Sequence, residues 1–237
     1  MLNLPKRLYI NRKSFLYLFK IIYFNFHYLP FKQAIHLPIV LYKPHFGKLK
    51  GSIEIKSNNI YFGMIRLGVD SVEIYPQDGI YINISKGKVI FNDGIKIGNH
   101  SFISVFGGNL VFGENFVASA GLKIQCSKNI LFDNYVSIGY DCMIADTSHH
   151  KIKLIEKNEI IPTTGDIIIG SHVWISSQTT IYKNTIIPNN IIVASHSLLN
   201  KDYSNVSDYS LIAGIPAKLK KEGVMRMDFY NYKCLSD

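Results

Sequence analysis

The residues best suited to chemistry lie in one short stretch, Asp146-Thr147-Ser148-His149-His150. An imidazole ordinarily titrates at about pH 6.5, so a histidine side chain can accept a proton near neutral pH as a general base. A nearby carboxylate can orient that imidazole or hold a substrate beside it. The stretch therefore predicts general-base chemistry, provided that the surrounding elements bring a substrate to the imidazole.

Those elements are indicated by a six-residue repeat over residues 165–202. The period matches neither a strand nor a helix, and the residue after each recurring aliphatic is usually compact. A hexad of this kind can form one short strand and one corner of a parallel β-helix, with the aliphatic side chain pointing inward. The recurring positions are Ile169, Ile175, Ile181, Ile187, Val193 and Leu199.

The same period begins earlier in the chain, in three triplets separated by longer gaps. These gaps predict small bulges at one recurring corner of a three-sided coil. A gap of 25 residues, from Ile144 to Ile169, predicts an excursion near residues 149–166 that begins at the histidine pair. The triplets are Phe91, Ile97 and Ile103, then Phe112, Ala118 and Ile124, then Phe132, Ile138 and Ile144.

The hexads, together with Val173-Trp174-Ile175 and the AGIPAK segment at 213–218, resemble the hexapeptide-repeat acyltransferases. The resemblance is strongest to those that O-acetylate sugars of bacterial surface polysaccharides. It implies an all-β fold, a left-handed parallel β-helix, in a homotrimer whose active sites lie between protomers. It also implies acetyl-CoA as the acyl donor, a sugar or glycan hydroxyl as the acceptor and no metal.

The stretch at 146–150 is similar to the Asp-Thr-Asp-X-His element of that family, whose last residue is the catalytic base. This resemblance implies that His150 is the base and that Asp146 orients the imidazole or the sugar. Because Ser148 replaces the second aspartate of the element, His149 is the alternative base.

The resemblance also implies a cofactor groove. It places Trp174 beside the pantetheine arm and basic side chains near the adenosine phosphates. Ser176, Pro188 and His196 depart from the family pattern and add bulk at corners of the groove. The implied cofactor-binding residues are Trp174, Ser176, Ser177, Ala194, Ser195, Lys201 and Lys218.

Two other functions stay open at this point. The same base and groove could N-acetylate an amino sugar, or the departures at the corners could mark a catalytically inactive β-helix that serves as a scaffold in glycan assembly. The histidines do not follow the three-histidine zinc pattern of the hexapeptide carbonic anhydrases. Nucleic acid is not an expected partner, because the excess basic charge is confined to the first 50 residues.

Those first 50 residues carry nine Lys or Arg and no acid, out of a net charge of +9 for the 237-residue chain. Residues 14–31 are mostly apolar, and Ser14 and Pro30 suit the two ends of a helix. One interpretation packs this helix on the first coils or on a neighbouring subunit, and the other lays it on the inner membrane surface. Its helix-spaced apolar residues are Phe15, Phe19, Ile22, Tyr23 and Phe26.

The predicted organisation is a basic amphipathic arm at 1–50, a β-helix at 51–202, and a C-terminal cap at 203–237 that ends in a short basic helix. The odd cysteine count, without paired short spacings, favours a reducing compartment and hence the cytoplasm. The cysteines are Cys126, Cys142 and Cys234.

Overall fold

The computed structural model describes residues 16–69, 75–76 and 78–227. Over these residues the chain visits three sheets in turn, so each circuit adds one parallel strand to every sheet. This is the strand arrangement of a parallel β-helix, as the hexads predicted. The three sheets are named A, B and C in the order in which the chain reaches them.

Sheet A consists of β1 Ile39–Leu41, β4 Ile65–Leu67, β7 Ile95–Ile97, β10 Val117–Ala118, β13 Ser137–Ile138, β18 Trp174–Ile175, β21 Ile192–Val193, β23 Ser210–Gly214 and β24 Ala217–Glu222. Sheet B consists of β2 Pro44–Leu49, β5 Ile80–Ile84, β8 Ser101–Val105, β11 Lys123–Cys126, β14 Met143–Ala145, β19 Thr180–Tyr182 and β22 Leu198–Leu199. Sheet C consists of β3 Ser52–Ile55, β6 Lys88–Phe91, β9 Asn109–Phe112, β12 Asn129–Phe132, β17 Ile167–Ile169 and β20 Thr185–Ile187.

The core runs along the axis of the coil. Every aliphatic or aromatic residue that heads a predicted hexad is buried, which confirms the inward assignment. Stacked aromatic rings extend this core on sheet C, where Phe112 lies 5.3 Å from Phe91 and 5.5 Å from Phe132 between ring centroids. Burial of such rings is a large apolar contribution to stability.

The corners depend on residues in the left-handed backbone region. In most hexads the residue with positive φ is the third after the inward aliphatic, and most of these residues are not glycine. His172, Gln178, Asn184, Asn190 and His196 occupy this place, with φ between 56° and 64°. The sequence prediction put the special corner residue directly after the aliphatic, which is two positions too early.

The corner from sheet B to sheet C holds the irregular insertions, as predicted. Gly108 lies there with φ of 59°, and a Cβ atom at this position would come 1.4 Å from the Lys128 carbonyl oxygen of the next coil. At the same corner the chain leaves β14 for the excursion, which contains an antiparallel hairpin of β15 Ile152–Leu154 and β16 Glu159–Ile161.

The N-terminal region forms helices α1 Leu18–Tyr28 and α2 Phe31–Ala34. Helix α1 ends before Pro30 as expected, whereas Ser14 lies outside the described residues. The predicted arm extended to residue 50, but β1 and β2 already pair with β4 and β5, so the first coil begins at Ile39. Within the described residues, no helix has the length and apolar character needed to cross a membrane.

The short basic helix predicted to follow the AGIPAK segment, from residue 219, is wrong over residues 219–222. These residues belong to β24, which pairs antiparallel with β23 across the AGIPAK turn. The lysine-rich segment is extended because it completes the ladder of the last strand in sheet A, and pairing overrides local helix propensity. Residues 228–237 lie outside the described part of the chain.

Candidate active site

A cavity of about 490 Å³ lies on the outer side of sheet B, beside the corner toward sheet C. Gln125, Ala145 and Tyr182 stand in register on three successive strands, and the small Ala145 leaves a depression between its two larger neighbours. Polar groups from the corners close the sides of this depression. The lining consists of Gln125, Met143, Ala145, Thr147, Ser148, His149, Tyr182, Lys183, Asn184 and Asn200.

His149 is the histidine that faces the cavity. Its Nε2 atom lies 3.1 Å from Oε1 of Gln125, and its ring stands edge-on to Phe106 with centroids 6.2 Å apart. With the amide oxygen toward the ring, Nε2 carries the hydrogen and Nδ1 retains its lone pair. The imidazole is thus held in one orientation with a nitrogen able to accept a proton.

A tight turn sets the position of His149. Its φ is 58°, and its backbone N–H donates to Oγ1 of Thr147 at 3.0 Å. Ser148 ties the turn to the returning strand of the excursion, since its backbone N–H donates to the Thr163 carbonyl oxygen at 2.8 Å. The turn is therefore fixed on both sides of the excursion.

His149 and His150 are both exposed, and of the two only His149 lines the cavity. The backbone N–H of His150 donates to the Ser148 carbonyl oxygen at 2.6 Å. His150, which the resemblance implies as the base, therefore lies outside the cavity, and His149, the alternative, lies beside it.

Asp146 is buried and does not contact either imidazole through its carboxylate. The two carboxylate oxygens accept the backbone N–H groups of Ser127 and Lys128, both at 2.7 Å. Burial raises the pKa of Asp146 above its ordinary value, and these two hydrogen bonds oppose that rise. Asp146 therefore shapes the corner from which the His149 turn departs, and it is not placed to orient the imidazole.

Lys183 is a site residue that the sequence analysis missed. Its Nζ donates to the Pro162 carbonyl oxygen at 2.5 Å and to Oγ of Ser148 at 3.2 Å, so it links the excursion to the coil below. Gln125 was also missed. The hexad pattern contained a signal for the cavity wall. Gln125 and Tyr182 each follow an inward isoleucine, at the hexad position that is usually taken by a compact residue.

The residues implied for cofactor binding lie elsewhere on the protomer. Trp174 is on the outer face of sheet A, where the Arg226 guanidinium lies 4.7 Å from its ring centroid. Ser176 and Ser177 form one corner between sheets A and B, and Ala194 and Ser195 form the same corner one coil later. The Ser177 hydroxyl accepts the Tyr140 backbone N–H at 3.2 Å.

The two implied lysines are separated from each other. Lys201 follows β22 at the corner toward sheet C, with its Nζ 5.2 Å from the Tyr203 ring centroid. Lys218 is exposed on β24 of sheet A. In one protomer the cavity lining that contains His149 includes none of the implied cofactor residues.

No family model matches the chain. It is 28% identical over 145 residues to WbbJ of Escherichia coli K12, assigned as an O-acetyl transferase of lipopolysaccharide biosynthesis, with 48% of this chain and 72% of WbbJ covered. It is 27% identical over 151 residues to the polysialic acid O-acetyltransferase of Escherichia coli O1:K1, with 61% of this chain covered. The chain spans 44% of that relative, less than half of its length.

The solved structure of the polySia-specific acetyltransferase NeuO aligns with 79% of this chain and 78% of its own, at 19% identity and a TM-score of 0.47. The named sequence relatives support the prediction that this chain is an acyltransferase. These relatives are O-acetyltransferases of bacterial surface polysaccharides, in agreement with the resemblance of this chain to the hexapeptide-repeat acyltransferases.

Proposed function

We propose that this protein transfers the acetyl group of acetyl-CoA to a hydroxyl of a sugar in a bacterial surface polysaccharide, with His149 as the general base. The observation that carries the proposal is the placement of the His149 imidazole in a polar cavity on the β-helix, held by Gln125. The sequence relatives supply the reaction class and the class of acceptor.

In the proposed reaction the sugar hydroxyl occupies the cavity beside His149. The imidazole takes the hydroxyl proton as the oxygen attacks the thioester carbonyl carbon, and a tetrahedral intermediate forms. The C–S bond then breaks, the acetyl group remains on the sugar oxygen, and the imidazolium returns the proton to the thiolate of CoA. Gln125 keeps the imidazole oriented throughout.

We place the donor at the corner of Trp174, Ser177 and Ser195 on a neighbouring protomer of a homotrimer. This arrangement explains why the base and the implied cofactor residues do not share a cavity within one chain. As in the family that the chain resembles, the coils are proposed to wind left-handed.

Sheet C offers a surface for the contact between protomers. One outward position on each of five successive strands is aliphatic, and these five positions stand in register. A continuous apolar strip of this kind is typical of a permanent subunit interface. The strip consists of Ile90, Val111, Leu131, Ile168 and Ile186.

Substitution of the two adjacent histidines tests the assignment of the base. His149→Ala should lower kcat by about two to four orders of magnitude, the usual contribution of a positioned general base, while the KM for acetyl-CoA changes little. His150→Ala is the matched control and should change kcat less than about tenfold, because its side chain is outside the cavity. Radiolabelled acetyl transfer to polysaccharide acceptors measures both, and release of the label by hydroxylamine identifies an ester product.

A large loss in His150→Ala, with His149→Ala near wild type, would return the role to the residue favoured by the sequence.

A further inference from the structure

Helix α1 presents an apolar stripe to solvent. Phe19 is 89% exposed, and Tyr23 and Phe26 on the following turns are each about half exposed. Leu16, just before the helix, is 82% exposed, and Ile22 borders the stripe. Isolated exposed apolar residues need no explanation, but five on one face form a continuous patch, which marks a contact surface.

The opposite face of α1 fixes the helix in this orientation. Ile21, Phe24 and Asn25 are buried, and the Phe24 ring stacks on Phe46 with centroids 5.4 Å apart. The Asn25 side chain donates to the Ile39 carbonyl oxygen at 2.8 Å and accepts the Ile39 backbone N–H at 3.1 Å. Rotation that buried the stripe would break this pair of hydrogen bonds, so the stripe faces outward in the folded protomer.

The stripe continues onto α2. The rings of Phe26 and Phe31 meet edge-to-face with centroids 6.0 Å apart, and Phe31 is 71% exposed. Ile35, directly after α2, is also half exposed. The patch therefore extends over both helices, and it is named here the helical patch: Leu16, Phe19, Ile22, Tyr23, Phe26, Phe31 and Ile35.

The charge on the helical segment has a single sign. Among the described residues 16–38 its charged side chains are those of Lys20 and Lys32, and the chain contains no Asp or Glu before Glu54. Lys32 is exposed on α2 between Phe31 and Ile35. Aromatic and aliphatic side chains flanked by cations match the interface of an anionic bilayer, in which each nearby cation contributes about 1 kcal/mol of attraction.

We propose that the helical patch binds the protein to an anionic lipid surface. Helix α1 has 11 residues, fewer than the roughly 20 that cross a bilayer, so it lies in the plane of the interface. A second copy of the chain is the less suitable occupant, because it would bring two acid-free helical segments, each with the cations of Lys20 and Lys32, into contact. The inference is independent of the proposed acetyl transfer.

Vesicle sedimentation of the full chain tests the proposal. The wild type should bind vesicles of phosphatidylglycerol and phosphatidylcholine in equal parts at least about tenfold more strongly than pure phosphatidylcholine, with a loss of binding in high salt. Phe19→Ser with Phe26→Ser should lower the partition coefficient at least about tenfold, since both side chains are exposed and their removal leaves the core intact. Ile155→Ser, which replaces an exposed apolar residue on the excursion hairpin, is the matched control and should bind like the wild type.

A fluorescence experiment locates the contact. Trp174 is the single tryptophan and lies on β18, five strands along sheet A from the β1 strand that α1 contacts, so brominated lipids should leave the wild-type emission unquenched. Phe26→Trp adds a second tryptophan in the helical patch. Brominated lipids should quench the emission of this added tryptophan. The proposal is overturned if the wild type does not bind anionic vesicles, or if the double serine variant binds them equally well. A change in oligomeric mass of that variant, with unchanged vesicle binding, would assign the helical patch to contact between copies.

Discussion

The Asp146 carboxylate joins two successive coils at the edge of the candidate site. Each of its two oxygens accepts one backbone N–H group, from residues that lie 18 and 19 positions earlier in the chain. Each of these N–H groups would otherwise be left without a partner at an irregular corner. The contribution of Asp146 to the site is therefore the fixed shape of the corner from which the His149 turn departs.

Asp146→Asn should destabilise the protein by about 1 to 3 kcal/mol. An amide has one acceptor oxygen, so its NH2 group would face one of the two backbone N–H donors. Thermal unfolding should show a Tm lower by roughly 2 to 10 °C. Asp166→Asn is the control, because that carboxylate is nearly half exposed and pairs with Lys128 at the surface, where such pairs contribute little. Equal shifts in both variants would contradict the role assigned to Asp146.

Lys183→Met should lower kcat by about ten- to a hundredfold without a matching change in the KM for acetyl-CoA. The substitution keeps most of the side-chain length but removes both donors that hold Pro162 and Ser148, and small displacements of a catalytic group are costly. Limited proteolysis should cut the excursion faster in this variant. Lys153→Met, at an exposed position on β15, should change neither readout.

At the scale of the element, most corners hold one residue in the left-handed region. Asparagine, histidine and glutamine occupy this place in the last coils, and four of these five side chains are exposed, so burial does not dictate their type. What the corner requires is a backbone conformation with positive φ. A β-branched side chain is the least compatible with it, since its Cβ substituents crowd the carbonyl group.

Gln178→Val should therefore cost about 1 to 2 kcal/mol, although the side chain it replaces is exposed. Gln178→Gly should be close to neutral or stabilising, because glycine adopts a φ of 59° without strain. The two variants differ in backbone preference and not in any buried contact. A valine variant as stable as the glycine variant in thermal unfolding would show that this corner tolerates either conformation.

The sequence predicted the inward positions of the coils correctly because burial constrains residue type. Positions such as Ile169 and Ile175 must be apolar to fill the axis of the coil, so they recur visibly at a period of six. The insertions at a single corner were predicted from the longer gaps between successive triplets of these positions. These features are local in sequence, and a spacing is enough to find them.

The candidate site, the C-terminal strand and the exposed face of α1 depend on contacts between distant residues, and the spacing of residues in the sequence does not reveal such contacts. His149, Gln125 and Lys183 meet because strands some 20 to 40 residues apart stack in register, and the outward positions carry no periodic signal. The lysine-rich C-terminal segment was predicted to be helical, whereas its extended conformation is set by pairing with the neighbouring β23. The helical patch showed helix spacing, but spacing alone does not tell which face meets the core.

At the scale of the whole molecule, the proposed base and the implied cofactor residues lie at different corners of the chain. His149 belongs to the corner between sheets B and C, and Ser195 belongs to the corner between sheets A and B. In a cyclic trimer each interface is heterologous, so it joins two different surfaces of the chain. Under the proposed function these surfaces carry the first corner of one chain and the second corner of its neighbour, and each active site combines residues from two chains.

Mixed trimers of two inactive subunits test this arrangement. His149→Ala removes the base, and Ser195→Trp obstructs the cofactor corner at an exposed position, so each homotrimer should be inactive. Co-expression with two affinity tags and sequential purification yields trimers that contain both subunits. In a cyclic trimer of this composition one interface of three pairs an intact base with an intact cofactor corner, so turnover should reach about a third of the wild-type value. Sites contained within single protomers would each carry one defect and the mixture would stay inactive, which would place the donor on the same chain as His149.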